Sequence, residues 1–189
     1  WVILIVISKF CKNKWKIYAL FNDDKFCSPL IIFLLHFQSE GNTFFKNKEY
    51  KQAITKYSEA IDLDQTDVTF FSNRSACYAA LEMWEKAADD GRTCIMTDKN
   101  FVKGYFRAAV GLKGFGNLEG ASDAIKRGLG IDSANNDLKK MSREIDEASR
   151  MKKVDALLEQ AETQSAAKEY QNAFKTLDTA LRLDPESKK

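Results

Sequence analysis

The sequence predicts an all-α protein built as an elongated stack of antiparallel helix pairs, an α-solenoid. Three observations carry that prediction: few helix breakers, a small residue that recurs every 34 positions, and polar turns between the recurrences. Only two prolines and nine glycines occur in 189 residues. Ala, Leu, Lys and Glu, all comfortable in helices, dominate after residue 40. A 44% hydrophobic content beside 30% charged residues is enough to bury a core. Ala53, Ala87 and Ala121 lie 34 residues apart, and the same register aligns Tyr57 with Gly91 and Ile125, then Ala60 with Cys94 and Gly128.

Residues 1–33 stand apart from this pattern. They carry five lysines against Asp23 and Asp24, show neither helical nor strand periodicity, and begin with Trp1. The apolar runs Trp1 to Ile7 and Leu30 to Leu35 are far shorter than the ~18 to 20 residues that span a bilayer, so no transmembrane helix is expected, and a membrane anchor is the alternative reading of this segment. A secretory signal would place its basic stretch before the apolar run, and here the order is reversed. The expectation is an irregular or wrongly translated segment preceding the repeats.

Three units follow, at 34–67, 68–101 and 102–135. In each, a first helix runs to a polar turn (Asn47 to Glu49, Met83 to Glu85, Gly114 to Asn117) and a second begins just before the recurring alanine. Antiparallel helices approach closely only where side chains are small, so Gly41, Ser75 and Ala109 are expected to face those alanines. Phe44, Tyr57 and Ile61, then Phe71, Tyr78 and Ile95, then Tyr105, Leu112 and Ile125 form the stripe that each unit buries against the next. Residues 136–153 read as a charged amphipathic capping or linker helix with Leu138, Met141 and Ile145 buried. A further unit at 154–189 keeps Ala161, Ala173, Leu177, Ala180 and Pro185 in register, which predicts more repeats downstream. Seven of the nine glycines fall between 104 and 130, so the third unit is expected to be the softest.

In a solenoid the first helices line the concave groove, and polar residues there point at a shared ligand. Asn42 lies on the first helix of unit one; Asn73 and Arg107 hold one place in units two and three, 34 residues apart; Lys103 precedes Arg107 by one turn. Two amides, an ammonium and a planar guanidinium suit the two carboxylates of a peptide that ends in Asp.

The small residue, aromatic, alanine and aromatic at fixed places in a unit of this length resemble the tetratricopeptide repeat family, which implies a right-handed superhelix. Gln65, Lys99 and Ser133 replace its closing proline. Within that family, Gly41-Asn42, Ser72-Asn73-Arg74-Ser75-Ala76-Cys77-Tyr78 and Lys103-Gly104-Tyr105-Phe106-Arg107 are similar to the dicarboxylate clamp of Hop-type co-chaperones. The resemblance covers about residues 37 to 150. It implies a cytoplasmic adaptor that grips the C-terminal Glu-Glu-Val-Asp of the seventy- or ninety-kilodalton heat-shock chaperones, through Asn42, Asn73, Lys103 and Arg107. It also implies apolar groove walls at Phe45, Ala76 and Phe106.

One position departs from the clamp, since Gln38 stands where the family has lysine. Trading a charge-assisted hydrogen bond for a neutral one weakens binding by roughly 1 kcal/mol. Lys46, two turns along the same face, is placed to offset part of the lost charge. Leu158 and Glu162 occupy the corresponding places of the fourth unit, so no second clamp is expected to begin there.

Other functions find little support. From residue 34 onward 24 basic residues face 25 acidic ones, without the surplus expected of a nucleic-acid face. Four cysteines and a lone His36 lack metal spacing, and no cofactor is implied. Cys77 and Cys94 sit at small-residue positions and are expected as buried, reduced thiols, as in a cytosolic or nuclear protein. Gly114-Phe-Gly116-Asn-Leu-Glu-Gly120 is GxGxxxG without a preceding strand, and coincides with a turn. No nucleophile, base and orienting group can be assembled, so no enzyme is expected in this chain. The rival readings are a general assembly scaffold and the targeting module of a larger enzyme.

Overall fold

A computed structural model describes residues 29–184, and every regular element among them is a helix. The expectations for residues 1–28 and 185–189 lie outside the described residues. The helices are α1 Pro29–Lys46, α2 Tyr50–Leu63, α3 Val68–Ala80, α4 Trp84–Thr97, α5 Val102–Gly114, α6 Leu118–Ile131, α7 Asn136–Ala166 and α8 Tyr170–Leu183. Each packs on its neighbours in sequence, and α3 also touches α5 while α5 touches α7. The chain is therefore an α-solenoid of antiparallel pairs whose first helices lie side by side.

Two boundaries differ from the sequence reading. Helix α1 begins at Pro29, inside the segment expected to be irregular. A proline is well placed in a first helical turn, where its missing N–H has no intrahelical partner to lose. The second turn occupies Leu81 to Met83, and Trp84 and Glu85, expected in the turn, are already helical. Helix α7 is a single run of 31 residues. The expected cap and the first helix of the next pair are thus continuous; nothing between Asn136 and Ala166 is Gly or Pro.

The turns within pairs share one device. Lys48, Glu82, Gly116 and Lys168 all have positive φ, between 57° and 85°, and the first three are spaced by 34 residues. At each turn the following N–H reaches back five residues: Glu49 to the Phe44 carbonyl, Met83 to Tyr78, Asn117 to Leu112 and Glu169 to Gln164. These are Schellman closures, which satisfy carbonyls left open at a helix end. Three of the four place a side chain in a left-handed conformation that glycine adopts more cheaply. Elsewhere side chains cap the helices, Asp67 accepting from the Thr69 N–H, Asn117 from Gly120 and Asn135 from Leu138.

The core runs along the stack. Ala53, Ala87 and Ala121 are fully buried, as are Ala60 and Cys94. Tyr57, Phe70, Tyr105, Ile125, Leu138 and Ile145 are at most 3% exposed, whereas Phe44, Tyr78, Ile95 and Met141 are half-buried. Cys77 and Cys94 are buried free thiols whose pKa values burial pushes up to about 12, so neither is a reactive thiolate. The Ser75 hydroxyl donates to the Ala87 carbonyl at 2.8 Å, which seats α3 against α4.

Glycines work as contact points. A Cβ on Gly91 would strike the Ala108 backbone, and one on Gly111 the Ala88 backbone. This reciprocal pair brings α4 and α5 together main chain to main chain across the second and third units. A Cβ on Gly114 would enter the Trp84 ring. The glycine-rich stretch, expected to soften unit three, thus lets its neighbours approach.

Sequence reading missed one polar tie. Arg74 on α3 donates from Nε and Nη2 to both oxygens of Asp90 on α4, each at 2.8 Å, and from Nη1 to Ser58 Oγ on α2 at 2.9 Å. Its guanidinium also lies over the Phe71 and Tyr78 rings, 5.6 and 5.8 Å from their centroids. Burial alone would depress the Arg74 pKa, but the Asp90 carboxylate outweighs it and holds the pKa up. At the far end, Tyr170, Phe174, Leu177 and Leu181 form an exposed apolar stripe along α8.

Candidate functional site

The expected clamp residues lie on three first helices, of which α3 and α5 are packed together. Gln38 and Asn42 are one turn apart on α1, Asn73 is on α3, and Lys103 and Arg107 are one turn apart on α5. Asn42 is exposed, and its Oδ1 accepts from the Tyr57 hydroxyl at 2.8 Å. The amide N–H groups are left for solvent or a ligand. Gln38 and Asn73 are half-buried, and Lys46 is exposed in the last turn of α1.

Lys103 and Arg107 carry the electrostatics. Among the described residues neither makes an ion pair. The Arg107 Nε is buried without a hydrogen-bond partner. Burial lowers the Arg107 pKa from its ordinary value. The Lys103 pKa is lowered first by burial, then by the positive charge of Arg107. Two cations one turn apart, Arg107 half-buried and Lys103 exposed, with no ion pair among the described residues, form a site that gains from an anion.

Both cations line a cavity of about 400 Å³ with Val102, Phe106, Asn135, Asp137 and Leu138. Its far wall is the start of α7, where Asn135 also donates to Asp132 Oδ2 at 3.0 Å. Phe106 lies under the Arg107 guanidinium, 5.9 Å from ring centroid to Cζ. Sequence reading placed Lys103, Phe106 and Arg107 together but missed Asn135 and Asp137. The available signal was the Asn-Asn-Asp run that opens α7.

Of the other expected wall residues, Ala76 is half-buried on α3. Phe45 sits at the end of α1, edge-on to Tyr50 at 5.5 Å. Leu158 and Glu162 are exposed on the second half of α7. Among the described residues no His, Cys, Asp or Glu cluster could hold a metal ion, and no helix is long and apolar enough to cross a membrane.

Comparison with known proteins agrees with the repeat architecture. Residues 41–82 match the family model of the TPR repeat. A heat shock protein sti1 homolog of Schizosaccharomyces pombe is 37% identical over 98 residues, 52% of this chain and 17% of that protein. The Hsp70-Hsp90 organizing protein 3 of Arabidopsis thaliana is 39% identical over 117 residues, 60% of this chain and 21% of that protein. The chain thus spans about a fifth of the length of these relatives. Among solved structures, the first TPR of Spaghetti (RPAP3), bound to the HSP90 peptide SRMEEVD, superposes with a TM-score of 0.58. It is 25% identical, and the match covers 61% of this chain and 91% of that one. The 34-residue period and the paired helices agree with the TPR repeat that residues 41–82 match, and over about half its length the chain is similar to the heat shock protein sti1 homolog.

Proposed function

We propose that this chain is a non-catalytic, cytoplasmic co-chaperone adaptor whose groove holds the C-terminal Glu-Glu-Val-Asp of a heat-shock chaperone of the seventy- or ninety-kilodalton class. The observation that carries the reading is the pair Lys103 and Arg107, two neighbouring cations on one helix with no ion pair among the described residues and an unpartnered buried Nε. Asn42 and Asn73 supply the amide donors. A terminal aspartate brings two carboxylates, one on its main chain and one on its side chain, and each charge-assisted hydrogen bond contributes about 1.5 to 3 kcal/mol. The buried, protonated thiols of Cys77 and Cys94 support a reducing compartment.

The test is calorimetry of the full chain with the peptide SRMEEVD and with the same peptide amidated at its C-terminus. The clamp predicts that amidation removes most of the binding, because the main-chain carboxylate is lost while every side chain is kept. Equal binding of the two peptides, or none of either, overturns the reading in favour of a general assembly scaffold.

A further inference from the structure

We infer that Tyr57 is a positioning residue for the carboxylate site, holding the Asn42 amide with its N–H groups toward the ligand, in a device confined to the first unit; this rests on the proposed clamp. A carboxamide presents an acceptor on one side and two donors on the other, and only the donors suit a carboxylate. The Tyr57 hydroxyl donates to Asn42 Oδ1 at 2.8 Å across the gap between α2 and α1. Tyr57 is 1% exposed whereas Asn42 is exposed, so the anchored end of the pair is rigid and the presented end is open. With Oδ1 occupied from the protein side, the Nδ2 hydrogens are left facing outward.

Gly41 makes this geometry possible. A Cβ at position 41 would lie 2.7 Å from Tyr57 Cε1 and 3.0 Å from both Cδ1 and Cζ. The missing side chain is therefore the space the ring occupies, one residue before the amide it orients. The hydroxyl also stays a donor, since burial pushes its pKa up to about 12. One repeat on, positions 76 and 91 are Ala76 and Gly91, and in the third unit positions 110 and 125 are Val110 and Ile125. Neither later unit has the hydroxyl or the amide at these positions. If Tyr57 were there only to fill the core, phenylalanine would serve as well.

Calorimetry of the full chain with SRMEEVD tests this through Tyr57→Phe, Asn42→Ala and the double variant, with thermal melting to confirm that each folds. Freed of its partner, the Asn42 amide samples the orientation that turns Oδ1 to the ligand carboxylate, so Tyr57→Phe should weaken binding roughly three- to tenfold. In the Asn42→Ala background the same change should do nothing further, which a purely structural role for the hydroxyl would not produce. Gly41→Ala, which displaces the ring, should reproduce the Tyr57→Phe loss. A wild-type chain that binds the free acid but not the amide, with an unchanged affinity in Tyr57→Phe, overturns the positioning role and leaves the clamp standing. Equal losses from Tyr57→Phe with and without Asn42 overturn it as well. Failure of the wild type to distinguish acid from amide overturns the clamp itself.

Discussion

At the scale of single residues, the proposed site rests on two cations, Lys103 and Arg107, that form no ion pair among the described residues. Lys103 has its pKa lowered by burial and by Arg107, so it loses its proton at a lower pH than the ordinary lysine value of 10.5. Two consequences of opposite sign follow. Peptide affinity should fall as pH rises through that lowered pKa, because an ammonium that attracts the carboxylate becomes neutral. Stability of the free fold should rise over the same window, because the unfolded chain then binds more protons than the folded one. Peptide titration and denaturant unfolding of the full chain at a series of alkaline pH values would separate the two effects, and Lys103→Met should abolish both. The Arg74–Asp90 pair acts differently. Removing Asp90 leaves a half-buried guanidinium without its two short bonds, so Asp90→Ala should cost about 3 to 5 kcal/mol of stability, read by urea unfolding. The proposed clamp residues stand out in sequence because they are spaced by one turn or one repeat. Arg74 and Asp90 were not, because they lie 16 residues apart on different helices and no local period joins them.

Among elements, the turns show how much freedom the repeat tolerates. Glu82 holds φ of 57° and Lys48 of 63°, where a side chain is strained and glycine is not. Glu82→Gly should therefore raise stability by up to about 1 kcal/mol, with no change in peptide affinity, since the turn lies away from the groove helices' polar residues. Differential scanning calorimetry checks the first part and peptide titration the second. The helix pairs were readable because their 34-residue period reports stacking directly. The position of the second turn was not, because Met83, Trp84 and Glu85 are equally acceptable in a turn or a first helical turn, and the choice falls to the closure from Met83 to Tyr78. Glycine contacts belong to this scale too. Gly91 of the second unit and Gly111 of the third interlock two helices, a fact that exists only between elements. If that contact governs, Gly111→Ala should destabilise the chain by roughly 1 to 3 kcal/mol through overpacking, where helix propensity alone predicts a gain of about 1. Urea unfolding gives the sign directly.

For the whole molecule, the stack divides labour along its length. The cavity beside Lys103 and Arg107 lies between α5 and the start of α7, while the second half of α7 pairs with α8 and leaves Phe174 73% and Tyr170 65% exposed. Helix α7 joins the two parts without interruption for 31 residues. Such a helix is a shaft, about 46 Å long at 1.5 Å per residue, and it fixes a phase. Ile145 packs with the core of the third unit and Val154 is buried nine residues on, so the stretch between them sets the angle at which the apolar stripe faces outward. One inserted alanine there would turn that face by about 100° while leaving the groove untouched, and seven would bring it nearly back. The angle between the proposed peptide site and the apolar stripe of α8 is thus set as on a crankshaft, by a count of residues.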